Sequence, residues 1–146
     1  MKLRILMVCL GNICRSPLAK VIMAQKTAHL NIEVDSAGTA NYHENQAADS
    51  RSIAVAKSFG LDLSDHRARA FRKEDFKTFS HIFAMDQQNY DFLVKQAQSE
   101  EERKKIQFMR PTEEEVPDPY YHDEAAFLNV FRILEQACSA QLKKFE

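Results

Sequence analysis

The stretch Val8 to Pro17, "VCLGNICRSP", holds two of the three cysteines and one of the three glycines in a chain of 146 residues. Upstream of it, Arg4 to Cys9 is an apolar run of strand length. Downstream, Ser16 is the expected N-cap of a helix and Pro17 its first residue, with Leu18, Val21, Ile22 and Ala28 on one apolar face. The stretch is therefore the turn between a first strand and a first helix, and the elements beyond that helix decide the fold.

Further strand candidates are Glu33 to Ala37, His81 to Met85 and, more weakly, Ile106 to Met109. Helical patterns alternate with them. Ile53, Ala56 and Phe59 point one way before Gly60, which reads as the residue ending a second helix. Tyr90, Leu93, Val94 and Ala97 come after Asp86 at helical spacing. After Asp123 as N-cap, Phe127, Phe131, Leu134, Cys138, Leu142 and Phe145 form one stripe. Alternating strands and helices imply right-handed crossovers, so the expected class is α/β, with an open, mainly parallel four-stranded sheet and helices on both faces. Ligands of such sheets bind at the carboxyl ends of strands, which is where the opening stretch lies. The charged run Glu100 to Lys105, and then Glu113 to Glu115, reads as solvated surface or a mobile connection.

The length fits one domain, residues 1–146, and 45% hydrophobic residues is an ordinary globular content. "MKLRILMVCLG" is too short in apolar residues for a signal peptide, and no run is long enough to insert in a membrane. The expected location is cytoplasmic, with reduced thiols. A net charge of -1 argues against general nucleic-acid binding, so an anion would need a local site.

The turn supplies one. Backbone N–H groups of a loop entering a helix N-terminus can converge on an oxyanion such as phosphate. Arg15 adds a planar fork able to grip two phosphate oxygens and to stabilise transition-state charge. The same positive field favours the thiolate of Cys9. Other readings fit less well. No paired Cys or His cluster completes a zinc set around Cys9 and Cys14, and Cys138 falls on a core stripe. The second Gly and the Lys-Ser/Thr of a nucleotide P-loop are missing.

The sequence resembles the low-molecular-weight protein tyrosine phosphatases along essentially its whole length. The resemblance is carried by "CLGNICRS" from Cys9, "DSAGT" at Asp35 to Thr39, "HRAR" at His66 to Arg69, "AMD" at Ala84 to Asp86 and "DPYY" from Asp118. It implies a flavodoxin-like fold of the phosphotyrosine protein phosphatase I type. It implies a phosphate-binding loop of Leu10, Gly11, Asn12, Ile13, Cys14 and Ser16 together with the nucleophile Cys9 and the phosphoryl-binding Arg15. Asp118 becomes the general acid, and Pro117 and Pro119 stiffen the loop that presents it. No metal or other cofactor is implied. Because Cys9 must be ionised while Asp118 is protonated, turnover should be fastest at mildly acidic pH.

Ser36 and His66 match a supporting shell that braces Asn12, a residue tolerant of left-handed backbone. Ser16 is expected to cap the helix and also to donate its hydroxyl to the thiolate. Cys14 resembles a second loop cysteine that traps an oxidised nucleophile as a disulfide. Tyr42, Tyr120 and Tyr121 are the expected substrate rim, and a deep aromatic slot favours phosphotyrosine over shorter phosphoserine. Asn45, Ala47 and Ala48 stand where Gly and Pro are frequent in the family, so the shape of that rim loop is not transferred. Asp86 is expected to support the site or cap its helix. Phosphotyrosine proteins are the implied partners, and "DSAGT" resembles a bacterial branch in which a tyrosine autokinase of exopolysaccharide synthesis is a common one. A thioredoxin-coupled arsenate reductase would need a mid-chain redox cysteine pair, which "HIFAMDQQNYDF" lacks. A phosphoprotein-binding module would not explain a nucleophile, an arginine and an acid together.

Overall fold

The computed structural model describes residues 2–146. Strands β1 (Leu3–Cys9), β2 (Ile32–Gly38), β3 (His81–Ala84) and β4 (Ile106–Phe108) form one sheet in the order β2-β1-β3-β4, with every pairing parallel. The helices are α1 (Arg15–Lys26), α2 (Ser50–Ser58), α3 (Asp75–Thr78), α4 (Gln87–Gln96), α5 (Glu100–Lys104) and α6 (Glu124–Leu142). β1 is flanked by β2 on one side and β3 on the other. The chain therefore reverses its direction of winding beside β1, and a crevice opens at the carboxyl end of that strand.

β1 is buried on both faces, which is why it reads as a continuous apolar run rather than an alternating one. Ile5, Met7 and Cys9 pack with Leu18, Ile22, Val130, Phe131, Leu134 and Cys138 of α1 and α6. Leu6 and Val8 pack on the opposite face with Phe76, Phe79, Leu93 and Ala97. Truncating Ile5 or Leu6 to Ala would cost about 2–5 kcal/mol, so this strand has little freedom to move the turn at its end.

Several boundaries differ from the sequence expectation, each for a local reason. α1 starts at Arg15, with Cys14 in the cap position and no side-chain cap, so Ser16 lies inside the first turn and does not cap it. A capping side chain would occupy the same amides that an anion needs. Ala28 lies beyond the end of α1 and is exposed. Glu100 to Lys104 is a short exposed helix rather than a mobile connection: Ser99 caps it, acids fill its first turn and Arg103 and Lys104 its last. Asp75–Thr78, unmarked by any periodic pattern, is a single helical turn. Gly60 does end α2, with φ +78. Phe59 remains 46% exposed but stacks on Phe131 with ring centroids 4.3 Å apart. Asp123 caps α6 by accepting from the Ala126 N–H. Among the described residues, no helix is long and apolar enough to cross a membrane.

Candidate active site

The turn after β1 is held from behind by its carbonyl groups. The Cys9 and Leu10 carbonyls accept from Thr39 and Ala40 N–H at 2.8 and 3.0 Å, and the Ile13 carbonyl accepts from Asp49 N–H at 2.9 Å. His66 Nε2 lies 2.7 Å from the Asn12 carbonyl, and the Ser52 hydroxyl reaches the Cys14 carbonyl at 3.4 Å. In a planar trans peptide the N–H points away from the preceding C=O. Turning these carbonyls into the scaffold therefore turns the N–H groups towards the crevice. Among the described residues, none of the N–H groups of Gly11 to Cys14 donates to a protein acceptor. They are free donors at a helix N-terminus, which is the physical requirement for holding an oxyanion.

Asn12 is the pivot of this arrangement. It has φ +58 and is fully buried. Its Nδ2 donates to Ser16 Oγ at 2.8 Å and Ser36 Oγ at 2.9 Å, and its Oδ1 accepts from Arg69 N–H at 3.0 Å. Ser16 Oγ also lies 2.9 Å from Cys9 Sγ; a thiolate sulfur only accepts, so in the ionised state of Cys9 the Ser16 proton points to it. A carbonyl only accepts, so His66 carries its proton on Nε2; burial pushes the imidazole below its usual range despite that bond and keeps it neutral. The expected bracing shell of Ser36 and His66 is thus in contact with the loop. Gly38 completes it: a Cβ there would stand 2.8 Å from the Leu10 carbonyl and 3.2 Å from Asn12 N.

Arg15 projects from the first turn of α1 with its side chain only 3% exposed. Its Nη1 donates to Asp86 Oδ2 at 2.8 Å and to the Val116 carbonyl at 3.0 Å, while Nη2 lies 3.7 Å from Asp118 Oδ2. Burial works against its charge, but the Cys9 sulfur, Asp86 and Asp118 outweigh that and hold the guanidinium above its ordinary range. Asp86 does both things the sequence suggested, because its other oxygen caps α4 through Asn89 N–H.

Asp118 stands across the crevice, 41% exposed, with Oδ1 accepting from Tyr120 N–H at 3.1 Å. Cys9, Arg15 and Asp118 share one cleft with Leu10, Gly11, Ile13, Cys14, Tyr42, Tyr120 and Tyr121. Tyr42 and Tyr121 are 72% and 89% exposed, so they form an open mouth rather than closed walls. Asn45 has φ +67, the left-handed geometry that Gly would otherwise supply, and its N–H reaches the Ala68 carbonyl at 2.8 Å. The rim loop therefore turns through a left-handed residue that is not Gly. Cys14 is a free, buried thiol, and burial with Asp49 and Cys9 nearby pushes it well above the usual thiol range. Among the described residues, no cluster of three or more His, Cys, Asp or Glu side chains is arranged for a metal ion.

Three contributors carried no separable sequence signal. His43 lines the cleft beside Gly11, where an added Cβ would meet its ring at 2.9 Å. The Val116 carbonyl orients Arg15 through backbone alone. Arg51 grips the Tyr120 and His122 carbonyls from α2. Backbone carbonyl partners are invisible to residue type, and a lone Arg beside an Asp looks like any helix start.

Comparisons with known proteins agree with this geometry. The chain is similar to the low molecular weight phosphotyrosine protein phosphatase of Homo sapiens, at 36% identity covering 96% of this chain and 94% of that one. Its structure is similar to a protein tyrosine phosphatase from Entamoeba histolytica, with TM-score 0.91 and 44% identity, covering 99% of this chain and 97% of the other. It is also similar to Vibrio vulnificus Wzb in complex with benzylphosphonate, with TM-score 0.90 and 28% identity, covering 99% of each chain. Matched over residues 4–146 and carrying this loop, the chain belongs to the low molecular weight phosphotyrosine protein phosphatase family.

Proposed function

We propose that the protein hydrolyses phosphotyrosine in proteins, and small aryl phosphates, without a metal and through a phosphocysteine intermediate. The observation that carries this is the set of unpartnered amides of Gly11, Ile13 and Cys14 in one cleft with Cys9, Arg15 and Asp118. The amides and Arg15 hold the three peripheral phosphoryl oxygens. The Cys9 thiolate, receiving the Ser16 proton as a hydrogen bond, attacks phosphorus. As the S–P bond forms the P–O bond to the phenol breaks, and Asp118 gives its proton to the departing oxygen. Asp118, now a carboxylate, takes a proton from a water that attacks phosphorus and breaks the S–P bond, returning free phosphate and thiolate. Charge shifts among oxygens throughout, so fixed donors supply most of the stabilisation.

The benzylphosphonate complex of the Vibrio protein, a benzyl group joined to a phosphonate, supports an aromatic substrate for this chain. We assign Tyr42, Tyr120 and Tyr121, which line the cleft, to flank the substrate ring. The likeness to the bacterial Wzb proteins supports a bacterial tyrosine autokinase of exopolysaccharide synthesis as partner, and cytoplasmic reducing conditions suit the free thiols. Hydrolysis of an aryl phosphate in excess chelator, natural protein against Cys9→Ser, tests the reading. Turnover by the natural protein alone is expected; equal turnover by the variant, or loss of turnover on chelation, refutes it.

A further inference from the structure

Among the described residues, the hydrogen bonds that residues 117–122 of the loop carrying Asp118 receive from outside the loop all come from one side chain. Arg51, at the start of α2, donates Nη1 to the His122 carbonyl at 2.7 Å and Nη2 to the Tyr120 carbonyl at 2.9 Å. The fork itself is fixed: Nε and Nη2 bind Asp49 at 3.0 and 2.9 Å, and the guanidinium lies over the Phe127 ring, 4.3 Å from its centroid. Asp49 is 10% exposed, and its own N–H donates to the Ile13 carbonyl of the phosphate-binding loop at 2.9 Å. A continuous path thus runs from Ile13 through Asp49 and Arg51 to the backbone on the far side of Asp118.

On the near side, the Val116 N–H bonds to Met85 and the Val116 carbonyl to Arg15. Asp118 is therefore suspended between two arginine anchors, both referred to the phosphate-binding loop. Its own carboxylate makes only the local turn bond to Tyr120 N–H and the 3.7 Å approach to Arg15. Nothing else among the described residues holds its distance to an incoming leaving group. We propose that Arg51 is the positioning residue for Asp118, registering the acid-bearing loop against the phosphate-binding loop; this rests on the reading of Asp118 as the general acid. Because two parallel bonds to two carbonyls need a fork, a point charge is no substitute.

The proposal separates from a structural role by leaving-group dependence. A phenolate that departs readily without a proton needs the acid little, whereas an unsubstituted phenolate needs it fully. Rapid-mixing measurement of phenol release in a single turnover, with nitrophenyl phosphate and with phenyl phosphate, reads this directly. Arg51→Lys and Arg51→Met are expected to slow phenyl phosphate about tenfold to hundredfold and nitrophenyl phosphate only a few fold, with melting temperatures measured alongside. Asp49→Asn, which leaves Arg51 in place but loosens it, should give a smaller loss of the same selectivity. Asp118→Asn should show the strongest selectivity. If it does and the Arg51 variants slow both substrates equally or neither, the clamp is refuted while the acid stands. If Asp118→Asn shows no selectivity, the acid assignment falls first. Failure of all three clamp variants to fold would also overturn the proposal, since it assigns the clamp to loop register and not to folding.

Discussion

Asn12→Ala is the perturbation whose cost can be worked most fully from the structure. It deletes the two buried bonds to Ser16 and Ser36 and the part-buried bond from Arg69 N–H. The serine hydroxyls can turn elsewhere, and Ser16 keeps its contact with Cys9. The Arg69 N–H takes no second acceptor among the described residues, and an orphaned buried donor costs about 1–3 kcal/mol. Two further net hydrogen bonds are each about 0.5–1.5 kcal/mol, and Ala at φ +58 adds about 1 kcal/mol of backbone strain. The expected loss is about 3–7 kcal/mol, a large share of the ~5–15 kcal/mol typical of a domain. Asn12→Gly removes the same three bonds without the strain, so it should be milder by about 1 kcal/mol. Denaturant unfolding of the natural protein and both variants, with a common slope, gives the two differences. A loss below about 1 kcal/mol for Ala, or a Gly variant less stable than the Ala variant, would refute the assignment of Asn12 as a strained, fully bonded pivot.

Three other outcomes are expected. Asp118→Asn should lower kcat on phenyl phosphate about 10²–10⁴-fold with little change in KM, and should flatten the alkaline side of the pH–rate profile; an unchanged profile contradicts the acid role. Burial holds His66 below its ordinary range in the fold, whereas the unfolded chain titrates it near ~6.5. The unfolded chain therefore binds the extra proton, stability falls as pH drops through that value, and His66→Gln should shrink the loss measured by unfolding between about pH 7 and 5. Some slope should survive, because His81 is depressed by burial too. Mild peroxide converts a Cys9 thiolate to sulfenic acid, which condenses with the Cys14 thiol to a disulfide and water. Since burial holds the Cys14 proton tightly, the bridge seen by mass spectrometry should form slowly and faster as pH rises; no bridge at any pH defeats the idea.

The parts of the fold that are legible in the sequence are those encoded locally. The β1 run, the stripe on α6 and the Asp123 cap are read from spacing alone, because each is fixed by burial period or by one capping side chain. Cys9, Arg15 and the shell residues come together as the motifs imply, with Asn12 in the left-handed geometry expected of it. The helix start is misleading because Ser16-Pro17 is a strong cap signal, while the loop needs its amides uncapped and gives Ser16 to the sulfur and to Asn12 instead. Arg51 carries no signal of its role because its partners are the carbonyls of Tyr120 and His122, and main-chain acceptors leave no trace in residue type. Asn45 takes a left-handed geometry that its residue type permits but does not require, so spacing alone does not reveal the turn.

In the proposed reaction a phosphoryl group passes through the sulfur of Cys9. Acid quenching of the natural protein during turnover of an aryl phosphate, with peptide mass spectrometry of the quenched chain, tests it most directly. A phosphate adduct is expected on the peptide containing Cys9, localised to that residue rather than Cys14, and none in Cys9→Ser. Sustained turnover with no adduct on Cys9, or an adduct on another side chain, would contradict it.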